Sequence, residues 1–363
     1  MTRGPTDRPT PFDPEVAAAV AALGTGRREP VTPGNLAERR ARDAASRPRP
    51  TAVELRADGC FEVEDLRVGD VTLVSARPAG LDGPLPLLYY LHGGAMVMGN
   101  AWSVLPTVLR EWSEPLGMAV LSVEYRLAPE APYPAALEDA HAGLVWAAGH
   151  ADELDIDPDR IVIGGKSAGG GLAAALALLA RDRGGPAALG QLLLSPMLDD
   201  SLATYSARQM SGVDVWDLTS HATVWQAYLG DLHGSAELPP YAAPARATDL
   251  SGLPPAYVEV GSAEMFRDEG VAYANRIWQS GGQAELHVVP GACHGFDGLA
   301  RHATLTQDAR ATRTRWLRRL LARPGRRADR AARAARADSA GWRPGPPPVG
   351  GTCHKPGRAD GGS

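Results

Sequence analysis

Residues 160–170 read RIVIGGKSAGG, and this stretch decides the fold. Ile161, Val162 and Ile163 are β-branched and apolar, the pattern of a strand buried on both faces. Gly165-Lys166-Ser167-Ala168-Gly169 then forms a G-x-S-x-G, and Gly171 to Leu179 (GLAAALALL) reads as a buried helix. A strand, a sharp turn with serine at its apex and a helix make a nucleophile elbow. The flanking glycines let strand and helix pass close together. The helix N-terminus behind Ser167 offers free N–H groups and a positive dipole end to a developing oxyanion. The alternative is a glycine-rich turn with a serine helix cap; strand before and helix after favour the elbow.

Around this core the chain alternates strands and helices. Strands are expected at Leu85–Leu91 (LPLLYYL), Met118–Tyr125, Leu189–Leu194, Ala256–Val260 and Ala284–Val289. Helical spacing marks Trp102–Trp112, Pro134–Ala151, Glu269–Ser280 and Ala303–Leu321. Phe61–Val68 and Val71–Ala76 alternate as in a half-exposed hairpin. The pattern implies an α/β fold with a mostly parallel central sheet covered by helices on both faces. Ligand chemistry in such a sheet gathers at the carboxyl ends of the strands.

Three segments fall outside that rhythm. Residues 1–50 hold two short helices, one opened by Asp13-Pro14-Glu15 and one after Thr32-Pro33, too small to bury a core alone. Residues 200–245 carry Trp216, Trp225 and Tyr228 and read as a helical insertion. Residues 323–363 are rich in Arg and Ala, then in Pro and Gly, and are expected to be a disordered basic tail, with nucleic-acid or surface contact the lesser reading. The catalytic body is expected over residues 51–322.

The chain has 363 residues, 44% of them hydrophobic, and a net charge of −5, which gives no sign of a nucleic-acid partner. Cys60, Cys293 and Cys353 are odd in number and lack metal-ligand spacing, so reduced thiols in the cytoplasm are expected, with no metal and no cofactor. The start lacks an apolar leader core and no run approaches a membrane span, so a soluble protein is expected, with a homo-oligomer left open.

A serine hydroxyl needs a base, an acid to orient that base, and donors for the oxyanion. The order expected for this fold is serine, acid, histidine. His294, in GACHGF after the last strand, is the expected base; Glu264, in GSAE after the preceding strand, is the expected acid, with Asp268 and Glu269 as rivals. The N–H groups of Gly93, Gly94, Ala95 and Ala168 are the expected oxyanion donors, and His92 is read as structural. Met96, Met98, Trp102 and Trp216 are candidates for the substrate pocket, with a plain core role as the alternative for each.

The stretches HGGAMVMGN at His92, EYRLAPEAPYPAALED at Glu124, GKSAGGG at Gly165, GSAEMFRDEG at Gly261 and ACHGFD at Ala292 resemble the hormone-sensitive-lipase family of α/β-hydrolases, in its bacterial carboxylesterase branch. The resemblance runs from about residue 85 to 300. It implies the α/β-hydrolase fold, a Ser/acid/His triad, a cap formed by the N-terminal helices and the insertion, and hydrolysis of small esters with short acyl chains. The sequence departs from the family pattern at Ala95 in place of a third glycine, at Lys166 where an acid is usual, and at Glu264 where aspartate is usual. Amide or acetyl-group hydrolysis by the same residues, or a non-catalytic small-molecule receptor, are the competing functions.

Overall fold

The computed structural model describes residues 8–24 and 29–323. The expected tail over 324–363, with Cys353, lies outside the described residues. All described residues belong to one compact unit ending at Arg323.

The chain starts with three helices, α1 (Pro14–Ala22), α2 (Leu36–Ser46) and α3 (Ala52–Arg56), followed by β1 (Phe61–Val68) and β2 (Val71–Pro78). The alternating pattern there gives an antiparallel hairpin in which Val68 pairs with Val71. β3 (Leu85–Leu91) is followed by α4 (Leu105–Val108), a π-helical turn at Leu109–Ser113, and α5 (Glu114–Leu116). The helix expected over Trp102–Trp112 is thus broken into short pieces. Next come β4 (Ala119–Glu124), α6 (Ala135–Gly149), β5 (Ile156–Lys166), α7 (Ala168–Asp182) and β6 (Gly190–Leu194). The segment expected as an insertion holds α8 (Tyr205–Met210) and α9 (Leu218–Leu229). The regular alternation resumes in β7 (Ala256–Gly261), α10 (Arg267–Gln279) and β8 (Ala284–Val289), then α11 (Phe296–Leu299) and α12 (Thr304–Leu321).

The eight strands form one sheet in the order β1-β2-β4-β3-β5-β6-β7-β8. β1, β2 and β4 pair antiparallel; every other pairing is parallel. β3 is buried at every residue because both its faces are covered. Its alternate side chains feed two cores. Leu87, Tyr89 and Leu91 join Ile161, Ile163, Leu193 and the Ala/Leu face of α7. Leu88 and Tyr90 join Val162, Leu192, Trp112, Trp316 and Leu320 on the opposite face. At roughly 1.5–3 kcal/mol for each fully buried large apolar side chain, these two layers dominate the stability.

The N-terminal segment is tied to the body at specific points. α1 begins with an Asp13 cap on the Glu15 and Val16 N–H groups, and Val16 and Val20 pack on Ala292, Cys293 and Phe296. Asp13 N–H also donates to the Gly291 carbonyl at 3.0 Å, and Thr304 N–H donates to the Glu15 carboxylate at 2.9 Å. Further on, Val31 N–H donates to Ser220 Oγ in α9 at 2.8 Å.

Candidate active site

The carboxyl ends of β3, β5, β7 and β8 converge on one place. β5 runs into Ser167, whose backbone takes φ 58 and ψ −123 before α7 begins at Ala168. That conformation is costly for a residue with a Cβ and persists only where its surroundings enforce it. Here Ser167 N–H donates to Leu194 O at 2.8 Å, and Ser167 O accepts from Gly171 at 3.0 Å and Met197 at 3.0 Å. The glycines leave no room for alternatives: a Cβ on Gly169 would sit 2.0 Å from Leu91 O, and one on Gly165 2.2 Å from Gly169 O.

Ser167 Oγ lies 3.0 Å from His294 Nε2, and His294 Nδ1 lies 2.8 Å from Glu264 Oε2. Glu264 is fully buried, and its second oxygen accepts from Ser195 Oγ at 3.0 Å and Gly261 N–H at 2.5 Å. This satisfied carboxylate fixes the tautomer that leaves Nε2 free to accept from serine. The Phe266 ring meets the imidazole edge-on, with centroids 4.7 Å apart. The rival acids are engaged elsewhere. Asp268 pairs with Arg267 and accepts from Ser206 N–H at 2.7 Å. Glu269 is buried, which pushes its carboxyl well up, and it accepts from Leu198 N–H at 2.8 Å.

The loop after β3 brings Gly93 against the elbow, so close that a Cβ there would lie 2.9 Å from Lys166 O. Gly94 has φ 132, and its carbonyl accepts from Val97 and Met98 N–H, closing a tight turn. Ala95 and Met96 follow with φ 56 and 63. Alanine thus adopts the left-handed conformation that glycine would take freely, at a cost of about 1 kcal/mol. His92 is buried, its Nδ1–H donates to Gly93 O at 2.8 Å, and its ring stacks on Tyr125 at 4.1 Å; burial lowers its pKa to about 4.

The pocket candidates separate. Trp102 is corrected: it packs on the opposite sheet face with Leu55, Phe61 and Leu105. Its Nε1–H donates to Asp65 at 2.8 Å and Arg49 lies over its ring at 3.8 Å, so of the two readings the core role holds and the pocket role does not. Met96 is buried in the core on the other face, against which Met98 and Trp216 pack while remaining partly exposed. Cys293 points into the apolar cluster under α1, and burial pushes its thiol up.

Lys166, the charge that departs from the family pattern, bonds Asp297, three residues past His294. Asp297 also accepts from Arg313 Nη1 at 2.7 Å, and Arg313 clasps Glu259 at 2.5–3.1 Å. Burial alone would push Asp297 up, but the charges of Lys166 and Arg313 outweigh it and hold the carboxyl well below its ordinary value. Two cations and two anions thereby link the elbow, the histidine loop, α12 and β7. Among the described residues no cluster of three or more His, Cys, Asp or Glu could hold a metal.

A serine, a buried carboxylate and a histidine in one hydrogen-bonded line, on this sheet, define the geometry of an α/β-hydrolase-type serine hydrolase. The chain belongs to the α/β-hydrolase fold family, whose sequence pattern matches residues 88–298. Its relatives include Esterase LipI of Mycobacterium tuberculosis, 39% identical over 59% of this chain and 67% of that protein. Carboxylesterase NlhH of the same organism is 37% identical over 66% of this chain and 77% of its own. Among solved structures, the Bacterial Heroin Esterase superposes with a TM-score of 0.78 at 36% identity, covering 86% of this chain and 98% of that one.

Proposed function

We propose that this chain is a carboxylesterase in which Ser167 is the nucleophile, His294 the base and Glu264 the acid that orients it. The observation carrying this reading is the 3.0 Å and 2.8 Å pair of contacts that links the three side chains at the strand ends. Ser167 Oγ attacks the ester carbonyl carbon as its proton passes to His294 Nε2. The carbonyl oxygen becomes an oxyanion received by N–H groups of Gly93, Gly94, Ala95 and Ala168, where one donor is worth about 2.7–4 kcal/mol. Collapse returns the C=O, breaks the bond to the alkoxy oxygen, and sends the proton from His294 to the departing alcohol. Water, deprotonated by His294, then attacks the acyl carbon; the bond to Ser167 Oγ breaks as His294 returns the proton to that oxygen, and the acid is released.

The helical segment between β6 and β7, with α1 and α2, is read as a cap that favours short acyl groups; the Val31–Ser220 bond between the two parts supports it. Among the described residues Cys60 and Cys293 are unpaired, which supports a reducing, cytoplasmic setting. The test is Ser167→Ala assayed on p-nitrophenyl butyrate with organophosphate labelling of both forms. The variant should fold, lose turnover by roughly 10⁶-fold and escape labelling, in line with loss of a serine nucleophile in a protease. Unchanged turnover would remove the reading.

A further inference from the structure

The segment between β6 and β7 supplies a buried carboxylate that the chemistry above does not use. Asp214 lies between α8 and α9, away from every motif, and is only 4% exposed. Its Oδ1 accepts from the His294 backbone N–H at 3.2 Å and from Val215 N–H at 2.7 Å. Its Oδ2 accepts from Met265 N–H, next to Glu264, at 3.3 Å. One side chain thus holds the residue after the acid and the backbone of the base itself. These belong to separate loops, after β7 and after β8; the loops also bond each other at their strand ends, through Ala263 N–H to Ala292 O at 3.0 Å and Gly291 N–H to Ser262 Oγ at 2.8 Å, and Asp214 adds the bridge that reaches the base itself.

We propose that Asp214 is a positioning residue: it clamps the Glu264 and His294 loops together and places a second negative charge beside the imidazole. The proposal rests on the assignment of Ser167, His294 and Glu264 above. The titratable groups facing Asp214 are Glu264 from the loop after β7, and Cys293 and His294 from the loop after β8; α1 brings the apolar Val16, Ala19 and Val20 to the cluster around Cys293. Burial pushes the Asp214 carboxyl up to about 7; His294 draws it down and Glu264 pushes it up. A cation formed at His294 draws Asp214 toward its anionic form. When His294 takes the serine proton, a carboxylate at Asp214 favours the imidazolium, in addition to the direct bond from Glu264. Without that charge the imidazole holds its proton less tightly.

Asparagine at this position is nearly isosteric and uncharged. Its amide nitrogen would also face a backbone N–H, donor against donor, so one of the two loop contacts is lost. A displacement near 1 Å at a reacting group costs about 10²-fold. Asp214→Asn in the full chain should lower kcat by roughly 10–10²-fold with KM for p-nitrophenyl butyrate nearly unchanged. The acid limb of its kcat/KM profile should move to lower pH. Asp214→Glu, which keeps the charge, should keep the limb in place. Asp214→Ser, smaller and uncharged, carries the same expectation as Asp214→Asn and replaces it should that variant fail to fold. An uncharged variant whose acid limb coincides with that of the parent, whatever its kcat, overturns the proposal. Failure of the triad assignment would show separately, as turnover surviving in Ser167→Ala.

Discussion

Lys166→Met removes one cation from the chain of charges Lys166–Asp297–Arg313–Glu259 while roughly keeping the side-chain length. Lys166 is 28% exposed at its side chain and Asp297 10%, so the pair sits between a surface bridge worth under about 1 kcal/mol and a buried one whose breakage costs about 3–5 kcal/mol. Arg313 still holds the other Asp297 oxygen, which limits the damage. We expect a loss of about 2 kcal/mol, equivalent to about 3 °C in Tm for a chain of this size. Asp297→Asn cuts both links and should cost more, and the double variant should show a coupling of about 1 kcal/mol or above. Because the pair joins the residue before Ser167 to the segment after His294, kcat should fall along with stability. Calorimetry and p-nitrophenyl butyrate turnover of the two single variants and the double variant test this. The sign of the pH dependence follows from Asp297. Its carboxyl is held below its ordinary value in the folded state, so its stabilisation is complete above about pH 4 and is lost as the pH falls below that. Lys166→Met should flatten that acid-side loss of Tm. Strictly additive variants, or an unaltered Tm and kcat in Lys166→Met, would refute the reasoning.

Two further outcomes are expected. Glu264→Gln presents an amide N–H to His294 Nδ1, favours the wrong tautomer and should lower kcat by about 10⁴-fold. Asp268→Asn should cost only about 0.3–1 kcal/mol at the start of α10; a dead Asp268→Asn beside an active Glu264→Gln would reverse the assignment. Cys293, sealed under α1, should stay unmodified by bulky thiol reagents in the folded enzyme while Cys60 reacts, with mass spectrometry of the native protein as the check; rapid labelling of Cys293 with loss of turnover would contradict its burial.

The strand–turn–helix around Ser167 was legible because every part of it is local: a β-branched strand, glycines at fixed offsets and an alanine-rich helix. Glu264 and His294 were legible for the same reason, each directly following an apolar strand. The rest depends on contacts across the chain. Lys166 was visible as an oddity, but its partner lies 131 positions away, and only the folded sheet shows why a cation suits the site. Asp214 sits in a segment without period or motif, where an aspartate reads as surface loop. The role proposed for it rests on two loops that meet only after β7 and β8 pair. For Trp102 the pocket and core readings stayed open because a few residues beyond a strand end suffice to carry a side chain to the other face of the sheet, where it takes the core role. The short α3 and α11 gave too few residues for a helical period to show.

The docking of α1 has a temporal side. The carboxylate of Glu15 finds its partner in Thr304, 289 residues later, and the apolar side chains of α1 find theirs in the loop just before it. At a synthesis rate of about 5–20 residues per second, α1 leaves the ribosome about 15–60 s before the surface it covers exists. Throughout that interval Val16 and Val20 are without their native contacts, and the nascent chain offers them to whatever chaperone or neighbour is at hand.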